Sequence, residues 1–181
     1  MRQFFIFDTE TTGLATKRFL PNEKKSEVIE FFGHIVLEDG TVQDELEFLC
    51  KPGKGHPVDW KTTTRITGLT PDDVNGQPPF SEFVERVADF CGSAPPVAHN
   101  LSYDKDMVNI ELSRIENAPE LVWQKGFCTV EETMHIKGHR LSLSALHEHL
   151  FGEKFEGAHR ARVDVNALTR CFLELLNRGD I

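Results

Sequence analysis

Apolar residues open the chain as a block, Gln3-Phe-Phe-Ile-Phe-Asp8, and return in two more blocks at Val28–Leu37 and Glu45–Cys50. Between the second and third lies Glu38-Asp-Gly-Thr41, an Asp-Gly turn signal that joins antiparallel strands. Short blocks rich in Phe, Ile and Val predict strands, here three in an antiparallel meander. The period then changes. From Pro79 to Cys91 the apolar positions are 80, 83, 84, 87, 88 and 91, the stripe of an amphipathic helix. A short strand is expected at Pro95–His99, followed by a helix over about Ser102–Ile115 with Tyr103, Met107 and Ile110 on one side. A buried strand near Phe127-Cys-Thr129 and a helix over about Ser142–Leu150 come next. The last helix, about Arg160–Leu176, aligns Ala161, Val165, Leu168, Phe172 and Leu175. Early strands followed by helices between later strands predict an α/β architecture, a mixed sheet covered by helices.

Composition narrows the class. With 181 residues, 39% of them hydrophobic, the chain is expected to form a single domain over 1–181 with a real core. No apolar run approaches the ~20 residues of a membrane span. Cys50, Cys91, Cys128 and Cys171 are widely spaced and form no Cys-x-x-Cys pair, which fits reduced, buried thiols in a cytoplasmic protein. A net charge of −9 argues against a broadly basic, duplex-wrapping surface, because phosphate neutralisation dominates nucleic-acid affinity. Nucleic acid would have to be gripped locally. Lys17, Arg18, Lys24 and Lys25 crowd one polar segment that could do so or could be a solvated loop.

The chemistry lies in the acids. Asp8 and Glu10 are two apart at a strand end, where side chains alternate, so both point to one face. Asp104 falls in the first turn of a helix that follows a strand. Asp106 is turned away from it by about 200°. Asp164 lies one turn into the last helix and His159 in the loop before it. All sit at strand ends or helix starts, where α/β sheets form their binding crevices. Carboxylates are hard oxygen donors suited to Mg²⁺ or Mn²⁺, and a pair of such ions can clamp the attacking and leaving oxygens of a phosphodiester. Histidine, with an ordinary pKa of about 6.5, suits a general base.

Three motifs carry a resemblance: Phe7-Asp8-Thr-Glu10-Thr-Thr-Gly13-Leu14, Ala98-His-Asn-Leu-Ser-Tyr-Asp104 and His159-x4-Asp164. Val28-Ile-Glu30-Phe-Phe-Gly33, Ile66-Thr-Gly68-Leu69-Thr70 and Leu141-Ser-Leu-Ser-Ala-Leu146 support them. Over nearly its whole length the chain resembles the DEDDh exonucleases, the Asp-Glu-Asp-Asp superfamily branch with a histidine base. The resemblance implies a ribonuclease H-like fold with a mixed five-stranded sheet flanked by helices. It also implies 3′→5′ hydrolysis of single-stranded ends to 5′-mononucleotides, DNA favoured over RNA, with two divalent ions. Asp8, Glu10, Asp104 and Asp164 would be the metal ligands and His159 the base. Thr11, Thr12, Gly13, Leu14, Thr67 and Asn100 would meet the substrate. One departure is Thr67, where many relatives carry a histidine. The implied partner is a single-stranded DNA or RNA 3′ end, with a polymerase or repair protein as a further possibility, and the chain would be a monomer or a homodimer.

Rival readings weigh less. Asp-x-Glu arises by chance, and Asp104 or Asp164 alone could serve a helix dipole; the joint order and spacing favour the enzyme over a non-catalytic nucleic-acid or polymerase-binding module. His135, His139, His147 and His149 suggest a zinc site, but Gly138 interrupts them. His99 reads as structural. Trp60 and Phe19 could stack on bases, though core packing suits Trp60 better and loop anchoring Phe19.

Overall fold

In the computed structural model, which describes residues 1–13, 26–53 and 58–181, five strands form one sheet. They are β1 (Gln3–Thr11), β2 (Val28–Leu37), β3 (Val42–Leu49), β4 (Pro96–Ala98) and β5 (Phe127–Cys128), in the order β3-β2-β1-β4-β5. The meander predicted for the first three is antiparallel, and β4 and β5 add in parallel.

Helices cover both faces: α1 (Trp60–Thr67), α2 (Pro71–Val74), α3 (Val84–Ser93), α4 (Leu101–Ser113), α5 (Thr129–Glu132), α6 (Met134–Lys137), α7 (Leu143–Phe151) and α8 (Ala161–Arg178). The stripe predicted from Pro79 begins as a 3₁₀ turn, Phe80–Glu82, before α3. Ser142 caps α7 by accepting the Ala145 amide at 3.2 Å. The shortest helices escaped the periodicity. Helix α1 is Thr-rich, with weak intrinsic helix propensity, and is set by its ends: Asp59 accepts from the Thr62 amide, and Gly68 closes it in the left-handed conformation. Helices α5 and α6 are only four residues each, too short to show a period.

Alternation along β1 sorts the core into two layers. Phe5 and Phe7 face α3 and α4, in a cluster with Phe31, Phe48, Phe90 and Met107. Phe4 and Ile6 face α8, in a second cluster with Phe32, Val97, Val165, Leu168 and Phe172. The five α8 stripe residues expected from the sequence are all buried. So are the four cysteines, which are unbridged. Trp60 packs with Ile29, Leu69 and Val74 rather than standing free. Among the described residues no helix is long and apolar enough to cross a membrane.

Close packing also explains Gly33, which pairs with Phe7 across β1 and β2. A Cβ there would lie 2.6 Å from the Phe5 ring and 3.0 Å from Phe7 Cβ. Those rings stack at 4.6 Å and are fully buried, so neither can yield cheaply. Gly33→Ala is expected to lower unfolding stability by about 1–3 kcal/mol in urea titration; an unchanged midpoint would show that the rings give way freely.

Candidate active site

The same alternation that buries Phe4 and Ile6 carries Asp8 and Glu10 to the α8 side of the sheet, at the end of its central strand. A β-bulge between Glu10 and Thr11 then shifts the register with β2, so that Thr11 pairs with Val28. Bulges bend a strand and re-aim the residues beyond the bend. Here the chain leaves the sheet as the turn Thr11-Thr12-Gly13, whose Thr12 amide bonds the Glu27 carbonyl at 2.9 Å.

Two helices bring the other acids. Asp164, on the first turn of α8, reaches back so that its Oδ2 accepts the His159 amide at 2.9 Å. Glu10, His159 and Asp164 then offer ligand atoms all within 4.8 Å of one another. Asp104 arrives from the opposite layer on α4. Its Oδ1 accepts from the Thr9 hydroxyl at 2.8 Å and the Thr9 amide at 3.1 Å. Thr9 is the one β1 residue between the acids, and because it points to the α4 side it can tie Asp104 to the strand.

Asp8, Glu10, Asp104, His159 and Asp164 line a single cleft of about 500 Å³. Thr11, Thr12, Gly13 and Thr67 line it as well. The turn is held by a triangle: Thr11 Oγ1 and Tyr103 Oη lie 2.7 Å apart, and each is 2.8 Å from the Gly13 carbonyl oxygen. Thr67 is buried in α1, donating to the Thr63 carbonyl and accepting from the Leu69 amide. Asn100 stands apart from the other expected substrate residues. It takes a left-handed conformation before α4, and its Oδ1 accepts from Arg140 at 2.8 Å rather than facing the cleft. Leu14, Phe19 and the basic residues Lys17, Arg18, Lys24 and Lys25 lie outside the described residues.

Some cleft residues were not signalled by the sequence. Helix α1 contributes Thr62, Thr63 and Ile66, and Ile66 is an apolar side chain left 43% exposed at the wall. Thr9 and Tyr103 fall within the first and second motifs, and strand alternation alone would have assigned Thr9 to the α4 layer. His99 lines the cleft but is fully engaged, through Thr129 at 2.9 Å and the Leu141 carbonyl at 3.0 Å. Burial pushes it down to about 4, so it is neutral near pH 7. The imagined histidine cluster does not form. His135 and His139 bond carbonyls of their own segment, and His147 bonds the Glu153 carbonyl.

Crowding the acids has an electrostatic consequence. Burial, then Asp104, Glu10, Asp164 and Glu30, raises Asp8 well above the usual carboxylate range. Burial, then Asp164, Glu30 and Asp104, pushes Glu10 up to about 8, against the opposing charge of Arg160. Asp104 is raised by burial to about 7, and the two Thr9 bonds pull the other way. Asp164 is raised too, chiefly by burial. Four carboxylates in this state fit divalent cations: their oxygens are hard donors, and Asp164 Oδ1 is buried with no hydrogen-bond partner among the described residues. Removing one charge should therefore relieve the protein when no cation is present. Asp8→Asn is expected to raise the Tm measured in chelator and to abolish most of the Tm rise that Mn²⁺ gives the wild type. A lower Tm in chelator would mean that Asp8 is structurally paired rather than repelled.

Comparison with known proteins agrees with this geometry. The family model described as Exonuclease matches residues 5–172. The DNA polymerase III PolC-type of Listeria welshimeri is 30% identical over 166 residues, which cover 91% of this chain and 10% of that protein. The chain thus spans about a tenth of the length of such relatives. The 3′-5′ exonuclease DinG of Bacillus subtilis is 26% identical over 185 residues, covering 98% of this chain and 18% of DinG. Among solved structures, the nuclease domain of 3′hExo, a DEDDh family member bound to rAMP, superposes with a TM-score of 0.75 at 19% identity. The match covers 98% of this chain and 92% of that one, so the fold is ribonuclease H-like. The chain belongs to the exonuclease family.

Proposed function

We propose that this chain removes 5′-mononucleotides from the 3′ ends of single-stranded nucleic acid, DNA in preference to RNA. One observation carries the reading: four carboxylates from β1, α4 and α8 meet His159 in a single cleft. The DNA preference draws support from the PolC-type relative, a DNA polymerase, and that relative also makes a polymerase a candidate partner.

Each side chain has a task. Asp8, Glu10, Asp104 and Asp164 would hold two divalent cations, Mg²⁺ or Mn²⁺. Such cations, when bound, offset the charge of the phosphodiester and acidify the attacking water. His159, beside Glu10 and Asp164, takes the proton from that water as attack begins. The turn Thr11-Thr12-Gly13 lines the cleft where the last nucleotide would sit, and Tyr103 holds the turn's shape. Beside the turn, where the Thr63 hydroxyl donates to the Thr12 carbonyl at 3.3 Å, the exposed Ile66 side chain and the Thr62 hydroxyl supply an apolar and polar wall suited to a base and its sugar. A cleft of this size fits an unpaired end. A paired terminal base would first have to be unstacked, at a few kcal/mol, and that expense would favour frayed or mismatched ends.

The experiment is a degradation ladder on 5′-labelled single-stranded DNA and RNA of one sequence, with Mg²⁺, Mn²⁺ or chelator. Stepwise shortening that requires the metal and runs faster on DNA is expected. Asp8→Ala should abolish it, while His159→Ala should slow it by about 10²–10⁴-fold with the Mn²⁺-induced Tm rise retained. No shortening of either polymer would refute the enzyme reading, and faster RNA degradation would reverse the substrate preference.

A further inference from the structure

Glu30 is a buried acid beside the cleft that the proposed chemistry leaves without a task. It lies directly across from Glu10 in the β1–β2 register, and its side chain is 3% exposed. Among the described residues, its side-chain hydrogen bonds all come from the start of α8. Arg160 Nε donates to Oε1 at 3.1 Å and to Oε2 at 3.2 Å, and Arg160 Nη2 donates to Oε1 at 2.8 Å. The Ala161 amide donates to Oε2 at 3.1 Å.

That last bond substitutes for a missing cap. Helix α8 begins after Arg160, which has no side-chain oxygen to accept the helix's first amides. Glu30 accepts one of them from a strand 131 residues earlier in sequence. The Arg160 fork meanwhile fixes orientation as well as distance, because a planar guanidinium binding both carboxylate oxygens cannot swivel.

The residue immediately before this lock is His159. It is solvent-exposed, and its φ of 70° is in the left-handed region, which a histidine adopts only when its surroundings hold it there. Two restraints do so: its amide bonds Asp164 Oδ2, and the next residue is clamped to the sheet. An exposed side chain on a loop has no packing to aim it, so its direction is inherited from its backbone.

We propose that Glu30 and Arg160 are a positioning pair: by pinning the start of α8 to β2 they fix the backbone of His159 and so aim its imidazole into the cleft. Neither touches the substrate. The inference rests on His159 being the base, and a double-mutant cycle keeps the two ideas separable. Steady-state hydrolysis of 5′-labelled single-stranded DNA in Mg²⁺ is compared for wild type, Arg160→Gln, His159→Ala and the double variant, with Tm measured for each with and without Mn²⁺. Arg160→Gln is expected to lower kcat by about 10–100-fold with KM within about threefold, since a misaimed base costs rate and not ground-state binding. In the His159→Ala background the same change should cost less than about threefold. Arg160→Lys, which keeps the charge but cannot fork, should recover only part of kcat. The Mn²⁺-induced Tm rise should survive in all four proteins.

If Arg160→Gln does not fold, Glu30→Gln/Arg160→Gln replaces the ion pair with neutral amides, leaves no lone buried charge, and should show the same loss of kcat only when His159 is present. Equal losses with and without His159, an unchanged kcat, or loss of the Mn²⁺ response would each overturn the pair's assignment; the last would mean that it acts through Asp164. Equal rates for wild type and His159→Ala would instead remove His159 as base, and the pair's purpose with it.

Discussion

Burial of four carboxylates side by side, Asp8, Glu10, Asp104 and Asp164, is the constraint around which the rest of this site is organised. Withdrawn from water at one sheet edge, these carboxylates hold protons more tightly than free acids, with Glu10 pushed up to about 8 and Asp104 to about 7. A protein selected for stability alone would not gather them. Their proximity becomes favourable when positive charge is brought between them, and the phosphate backbone of a nucleic acid, otherwise repelled by a chain of net charge −9, becomes approachable at the same moment. Cation and substrate binding would thereby be coupled through one cluster.

Holding such a cluster together takes neutral and cationic supports, which the fold draws from both layers. Thr9 projects to the α4 side of β1 and anchors Asp104 with two hydrogen bonds. Arg160 supplies a cation that engages Glu30 and lowers the proton affinity of Glu10. Underneath, the stacked and tilted phenylalanines of β1 and β2 give the central strand a rigid base. The bulge after Glu10 shifts the register by one residue just before the chain turns outward. Stiffness below and a bent strand end above are what let a few side chains be aimed precisely enough for chemistry.

Much of this was legible in the amino-acid order because its signals are local. Apolar blocks marked β1 and β2, period-3.6 stripes marked α3, α4 and α8, and strand alternation placed Asp8 and Glu10 on one face. The features that escaped are set by ends or by distant partners. Helix α1 carries only Trp60 and Ile66 as large apolar residues in a Thr-rich run, and depends on its Asp59 and Gly68 caps. The Glu30–Arg160 clamp joins residues 130 apart, and nothing in a single sequence pairs them. Asn100 shows the converse: its motif suggested substrate contact, but the left-handed turn that starts α4 directs its amide to Arg140.

The most direct test is the position of bound metal. An anomalous difference map from crystals soaked in Mn²⁺ should show two sites in the cleft, ligated by oxygens of Asp8, Glu10, Asp104 and Asp164, with His159 facing them. Manganese bound elsewhere, or a cleft that stays empty at millimolar Mn²⁺, would contradict the role assigned to the four acids.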